Sequence, residues 1–284
     1  MKPPQFAYVR AGSALEAAAF LAEWDGDARI IAGGQSLVPL LNLRLTTPRV
    51  LVDIGRVAEL QGIRLEGSRI VIGAATRQRE AERSALLAEL CPLVPQALRH
   101  VGHPQIRNRG TVGGSLAHAD PASELPAVAV ALEAEMLVRS LREERRIRAE
   151  DFFAGPYMTS LEPDEVLCEV AFPVTKGSRT SFLELARRRG DFALAGVAAC
   201  VQVSADGTVE SASFGACGVG GTPVRLRQAQ MAVIGLGSQS DDLSEVAAAA
   251  SAEVTPSGDV HADEGYRRHL VGVLVRRAIQ EAQG

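Results

Sequence analysis

Lysine is almost missing from this chain: Lys2 and Lys176 are the only two among 30 basic residues, set against 34 acidic ones. The arginines are scattered among acids, which reflects genome composition rather than a basic working face. A formal charge of −4 gives no pull toward nucleic-acid phosphates or anionic membrane, so neither is expected as a partner. No apolar run reaches the length of a transmembrane segment. The start, Met1-Lys2-Pro3-Pro4-Gln5-Phe6, lacks the apolar core and cleavage pattern of a secretory signal, and no Sec-type export is expected. The four cysteines, Cys91, Cys168, Cys200 and Cys217, are far apart and form no C-x-x-C pair. That spacing predicts buried thiols in a reducing cytoplasm, with no disulfide frame, zinc site or iron-sulfur cluster on this chain. Both common phosphate-binding signatures are absent, the Rossmann G-x-G-x-x-G and the P-loop G-x-x-x-x-G-K-S/T.

What is present is a pair of glycine loops. Ala32-Gly33-Gly34-Gln35-Ser36 follows the apolar Ile30-Ile31, and Thr111-Val112-Gly113-Gly114-Ser115 follows Arg107-Asn108-Arg109. Each precedes a stretch that can open a helix. Free N–H groups and the positive end of a helix dipole attract an anion there, and glycine lets the ligand approach the backbone closely. Each loop alone also fits a plain tight turn. Together they offer two cradles, as the two phosphates of a pyrophosphate require.

At 284 residues with 46% apolar content, the chain is an ordinary globular protein with room for two or three modest cores. Residues 1–56 alternate short strands (6–9, 29–31, 50–52) with a helix from Ser13, whose spacing to Glu16 fits a capping box, and a helix through Leu37, Leu40, Leu41 and Leu45. Residues 57–176 carry a hairpin around Glu66-Gly67-Ser68, helices over 77–90, 92–99 and 124–132, and strands at 135–140, 145–148 and 166–172. From 177 to 284 the texture changes to an antiparallel three-stranded sheet (180–187, 196–203, 208–217) covered by helices at 226–234, 242–252 and 263–281. Gly235-Leu236-Gly237 mimics half a nucleotide motif but reads as a helix end.

The motif A-G-G-Q-S-L-x-P-L-L-x-x-R from Ala32, followed by I-R-N-x-G-T-V-G-G-S-L from Ile106, resembles the FAD-binding medium subunits of molybdenum hydroxylases. That family includes carbon monoxide, aldehyde and nicotine dehydrogenases and the flavin domain of xanthine dehydrogenase. The resemblance covers the whole chain, including Arg187-Arg188-Arg189-Gly190-Asp191-Phe192-Ala193. It implies an α+β fold, with two α/β FAD-binding subdomains of the PCMH-type flavoprotein fold and a C-terminal sheet-plus-helices domain. It implies that Ala32, Gly33, Gly34, Gln35, Ser36 and Leu37 wrap the pyrophosphate, and that Thr111, Gly113, Gly114 and Ser115 meet its other side. Val101 and Leu161 match apolar positions beside the cofactor. Glu124 stands where relatives commonly have an Asp that bonds FAD hydroxyls, and Glu184 where several carry a Lys close to the flavin ring.

The flavin performs the redox chemistry, so no catalytic acid or base is expected on this chain. The resemblance further implies a large molybdopterin-binding subunit, a small subunit with two [2Fe-2S] clusters, and a dimer of such heterotrimers. Electrons would pass from molybdenum through the clusters to FAD and an external acceptor. Two other readings stand beside this one: a self-sufficient FAD-dependent oxidase or reductase, and a non-redox nucleotide-binding assembly protein. His100, His103, His118 and Asp120 match no standard metal-ligand spacing and are expected in turn or cofactor-neighbourhood roles. Arg107 and Arg109 either offset pyrophosphate charge or form a solvated basic turn.

Overall fold

The computed structural model describes residues 2–237 and 242–281. Its first unit runs β1 (Ala7–Arg10), α1 (Ala14–Glu23), β2 (Ala28–Ile31), α2 (Leu37–Asn42) and β3 (Val50–Asp53). The three strands form a parallel sheet in the order β1-β3-β2. Ala14, Ala17, Ala18 and Leu21 form the buried stripe of α1, small side chains that let the helix lie close to the sheet. Ser13 caps α1 by accepting from the Glu16 N–H at 3.1 Å, while the Glu16 carboxylate takes the Gly12 N–H at 2.6 Å. The box therefore closes one residue earlier than its sequence spacing predicts. The loop 32–36 leaves the carboxyl end of β2, the edge at which open parallel sheets bind ligands.

A 3₁₀ turn at Ala58–Leu60 leads into the second unit. This comprises β4 (Ile63–Glu66), β5 (Arg69–Gly73), α3 (Gln78–Glu82), α4 (Ala85–Leu90), α5 (Leu93–Leu98), α6 (Pro104–Arg107), α7 (Val112–His118) and α8 (Glu124–Ala131). It continues through β6 (Glu135–Arg139), β7 (Glu144–Arg148), α9 (Ala149–Phe152), β8 (Phe153–Gly155), β9 (Met158–Thr159) and β10 (Val166–Pro173). Its main sheet runs β4-β5-β10-β6-β7, and every pairing is antiparallel. The span 77–90 divides because Ser84, in extended conformation, starts a new helix and accepts from the Leu87 N–H at 3.3 Å.

The third unit holds β11 (Arg179–Ala186), β12 (Ala193–Val203), β13 (Val209–Cys217), β14 (Val224–Arg225), α10 (Arg227–Val233), α11 (Ser244–Ala252) and α12 (Glu264–Glu281). The three long strands appear where alternation predicts them, but the antiparallel sheet has four strands, not three. The two-residue β14 adds to β13 opposite Gly215 and Ala216, and two residues are too few to show alternation. Gly235 adopts φ +83° just after α10, as a helix end requires.

The four-stranded sheet is the wall between two cores. One face, with Phe182, Ala198, Cys200 and Cys217, joins the core built by α3–α8 and the five-stranded sheet. The other face, with Val197, Ala199, Phe214 and Ala216, packs against α10–α12. A third, smaller core lies between α1, the parallel sheet and the far side of β10, where Val166 and Cys168 reach it. All eight residues of α8 are buried, which explains its lack of a polar stripe. Gly215 admits it closely, since a Cβ there would come 3.0 Å from the Ala131 Cβ. Among the described residues, no helix is long and apolar enough to cross a membrane.

Candidate cofactor-binding site

The two glycine loops touch. A Cβ on Gly33 would lie 2.8 Å from the Gly110 Cα and overlap the Arg109 carbonyl. The contact is held from behind. The Arg77 guanidinium donates to the Arg109 carbonyl, the Gln78 N–H donates to the Gly110 carbonyl at 2.9 Å, and the Val112 N–H returns to the Thr76 carbonyl at 3.0 Å. Nothing in the sequence marks Arg77 for this work. Gly55 lies against the same corner, where a Cβ would come 3.3 Å from the Ala32 carbonyl. One rigid seam therefore joins the carboxyl edge of the parallel sheet to the start of α7.

The two loops contribute differently. In the first, the Gly34 and Ser36 carbonyls accept from Val38 and Leu40 at 3.0 and 3.2 Å, and the Gln35 amide folds back on the Gly33 carbonyl at 3.0 Å. Among the described residues, no protein acceptor pairs with the N–H groups of Gly34, Gln35, Ser36 and Leu37. Gly34 has φ +72°, which only glycine adopts without strain. Ser36 is exposed and its hydroxyl makes no cap. Successive unpaired N–H groups are the donor set that a pyrophosphate needs, so these residues fit the group.

In the second loop the N–H groups are already used. Gly113 donates to the Ala74 carbonyl at 2.9 Å, Gly114 to the Thr111 hydroxyl at 3.0 Å, and Ser115 to the Thr111 carbonyl at 3.2 Å. A Cβ on Gly113 would lie 2.7 Å from the Ala74 Cα, and one on Gly114 2.6 Å from the Thr111 Oγ1. Gly113 is thus required by packing. Gly114 is exposed and leaves bare backbone at the surface, next to the half-buried Ser115.

The two nearby arginines separate. Arg107 is buried, donating to Glu82 at 2.9 Å and to the Val101 and Gly102 carbonyls at 2.9 and 3.2 Å. Burial would raise the Glu82 carboxyl, but hydrogen bonds from Arg107 and Arg79 hold it below its ordinary value. Arg107 is therefore a structural anchor, whereas Arg109 is exposed. The histidines do not converge. His100 sits tilted against Phe182, His118 tilted against Tyr157, and His103 lies against Gly190, while no trio among the described residues is set to hold a metal ion.

Val101 and Leu161 are half-buried against the larger core. Glu124, first residue of α8, is buried, and burial followed by the charges of Glu184 and Asp120 pushes its carboxyl up to about 8. Glu184 stands beside His100, with Oε1 at 3.4 Å from Nδ1 and a side chain only 6% exposed. Two neighbours, Ala119 at φ +50° and Tyr157 at φ +59°, hold left-handed backbone. The Tyr157 N–H bonds the Ala119 carbonyl at 2.9 Å, which pins this strained corner beside Asp120. Val101, Leu161, Glu124 and Glu184 are singled out by sequence resemblance, but the closeness of Glu184 to His100 depends on the packing of α5 against β11.

A parallel sheet with a free-N–H loop at its carboxyl edge, seamed to a second glycine loop on an antiparallel unit, defines a dinucleotide-cofactor protein. Family models place it further: residues 4–175 match the FAD binding domain in molybdopterin dehydrogenase, and residues 180–282 the CO dehydrogenase flavoprotein C-terminal domain. The chain belongs to the FAD-binding subunits of the molybdenum hydroxylases, and it is an oxidoreductase subunit. It is 41% identical to the 6-hydroxypseudooxynicotine dehydrogenase complex subunit alpha of Paenarthrobacter nicotinovorans, over 99% of this chain and 96% of that one. It superimposes on the reconstituted CO dehydrogenase of Oligotropha carboxidovorans with a TM-score of 0.97 at 36% identity, covering 100% of this chain and 99% of that one. Quinoline 2-oxidoreductase from Pseudomonas putida 86 gives 0.93 at 37% identity, covering 100% and 98%.

Proposed function

We propose that this chain is the electron-transfer subunit of a heterotrimeric molybdenum hydroxylase. In this reading a small subunit with two [2Fe-2S] clusters delivers electrons from a large molybdopterin-binding subunit, and this chain passes them through FAD to an external acceptor. The observation that carries the reading is the row of unpaired N–H groups from Gly34 to Leu37, seamed through Gly33 to the second loop.

FAD supplies the two-electron to one-electron conversion that such a relay needs. The protein's own residues bind and orient it. Ala32 to Leu37 would wrap the pyrophosphate, Gly34 to Leu37 through their unpaired N–H groups, with the Ser36 hydroxyl as a further donor. Thr111 and Gly113 hold the second loop in shape, Gly114 allows the close approach, and Ser115 and Arg109 face the same charge. Val101 and Leu161 supply apolar wall for the flavin, and Glu124 meets hydroxyls of the cofactor. The divisions at residues 56 and 176 are retained as domain boundaries, and the complex is placed in the cytoplasm, where four free, buried thiols stay reduced.

The test is reconstitution. The purified chain should be yellow and bind FAD one to one, yet turn over no substrate until both partner subunits are added. Turnover by the single chain would favour a self-sufficient flavoenzyme, and a colourless chain indifferent to FAD would favour a non-redox assembly role.

A further inference from the structure

One charged side chain interrupts the buried stripe of α12. Leu270, Val271, Leu274, Val275 and Ile279 turn inward from that helix, and with them, near its amino end, goes Arg267, only 7% exposed. Two costs attach to a cation there. The positive end of the helix dipole opposes it, and the guanidinium loses its water while its Nε finds no partner among the described residues. An apolar side chain of similar volume would serve stability as well. The contacts that Arg267 makes, rather than its burial, account for its presence.

Arg267 joins three segments. Its Nη1 donates to the Leu194 carbonyl at 2.6 Å and to the Gly218 carbonyl at 3.0 Å, and its Nη2 to the Asp259 carboxylate at 2.7 Å. Leu194 lies at the start of β12 and Gly218 just past the end of β13. Gly218 has φ +75°, and a Cβ there would come 2.9 Å from the carbonyl oxygens of both Ala193 and Leu194. Its N–H donates to the Pro121 carbonyl at 2.7 Å. Pro121 sits in the turn between α7, which opens on the second glycine loop, and α8, which begins at Glu124. Two hydrogen bonds therefore lead from α12 to the cofactor side.

A second branch runs through the β11–β12 loop. The Arg187 guanidinium lies 3.3 Å from the His261 Nδ1 at the start of that loop, and Asp259 accepts from the His261 N–H at 2.8 Å as well as from Arg267. The end of the loop is held at Leu194. Between the two roots Gly190, at φ +88°, rests on His103, where a Cβ would come 2.8 Å from Nδ1. His103 in turn precedes α6, the helix that leads into the second glycine loop.

We propose that Arg267 is a positioning residue for the cofactor site: through Gly218 it sets the turn at Pro121, and with Asp259 it sets the β11–β12 loop against His103. The proposal rests on the cofactor reading above, because Glu124 and the second glycine loop are what these segments carry. Arg267 acts through backbone groups and not by contact with FAD.

Hydrogen–deuterium exchange and FAD binding, both on the full-length chain, test this role. R267K keeps the charge but offers one ammonium where the guanidinium spans three acceptors, and R267M keeps little more than the length. Relative to amides of the α11–α12 core, the Gly218 amide should exchange faster in R267K than in the wild type, and faster again in R267M. The Kd for FAD should rise in the same order, by about tenfold in R267M, and the visible circular dichroism of bound flavin should change with it. V275A, on the same helix but in the apolar core, should lower the melting temperature and leave FAD affinity and flavin dichroism as they are. Equal weakening of FAD in V275A and R267M at equal loss of melting temperature would reduce Arg267 to a stability role and overturn the proposal, as would unchanged affinity and dichroism in R267M. D259A, at a half-exposed position, carries the same test if R267M fails to fold: weaker FAD supports the proposal and unchanged FAD overturns it. A wild-type chain that binds no FAD would refute the cofactor reading; the Gly218 amide then decides the bracket alone, and unchanged exchange in R267K would overturn it.

Discussion

A carboxyl that keeps its proton when buried makes stability fall as pH rises. Glu124 titrates at about 8 in the fold and at roughly 4.3 in an unfolded chain. Between those values the folded state holds a proton that the unfolded state lacks, so unfolding free energy decreases with pH, by at most about 1.4 kcal/mol per unit. Below that window the contribution is fully present, and above it the loss is complete. Glu82 and Glu165 act in the opposite sense. Burial opposes the Arg107 and Arg79 bonds at Glu82, and the Arg145 bond leads at Glu165; both carboxyls end below their ordinary value. Their stabilisation is present at neutral pH and lost as pH falls through the carboxylate range. E124Q should therefore flatten the fall in stability between roughly pH 4.3 and about 8, and leave the loss from Glu82 and Glu165 on the acid side in place. The glycines give a second contrast. In Gly33→Ala the new Cβ meets main chain on both sides of Arg109 and Gly110, which cannot yield as a side chain does. Overpacking of this kind costs about 1–3 kcal/mol, so the melting temperature should drop and FAD retention should be lost. In Gly114→Ala the Cβ meets only the Thr111 hydroxyl. It should cost no more than the cap, about 1 kcal/mol, and weaken FAD without unfolding the chain. Equal melting temperatures for the two variants would contradict the seam.

At the scale of elements, Arg107 fixes α6 to α3 through Glu82 and to the turn at Val101 and Gly102. Both side chains are nearly buried, so Arg107→Ala removes one of the two arginines on Glu82 and leaves Arg79 as the other, and the unfolding cost should fall short of the about 3–5 kcal/mol of a buried charge stripped of its partner. Denaturant titration should show that smaller loss at neutral pH, and a further loss on adding R79A, which strips Glu82 of its remaining arginine. Most elements were legible in the sequence because their signal is local. The alternation through β11, β12 and β13 and the spacing in α10–α12 give their positions to within a few residues. The pairing was not legible. β10 lies between β5 and β6, far from both in sequence, and both its faces are buried, which leaves a nearly continuous apolar run instead of an alternating one. The site divides the same way. The two glycine loops announce themselves by composition, whereas Arg77, which ties them together, is an ordinary arginine on a chain full of arginines. The commitment of the second loop's N–H groups depends on Ala74 and Thr76, which only the fold brings near.

For the whole molecule, the C-terminal sheet couples the cofactor side to the helices α10–α12, because its two faces serve two different cores. Three cores close within the described residues, so the layers hold one another without a partner chain. A closed core does not make a self-sufficient enzyme. The donor row at Gly34 to Leu37 fits a pyrophosphate, and on the proposed reading the substrate is oxidised on another chain. Two measurements separate these ideas at the right scale. Thermal unfolding of the isolated chain should be cooperative and shift upward with added FAD, by the mass action of a ligand bound only to the folded state. Co-expression with the molybdenum and iron-sulfur subunits should then give one assembly whose native mass equals two copies of each chain, and substrate-dependent reduction of the flavin should appear only in that assembly. A stable, FAD-loaded chain that never joins the other two would preserve the cofactor site and refute the relay. A chain that assembles without flavin, yet supports turnover, would refute the site while keeping the partnership.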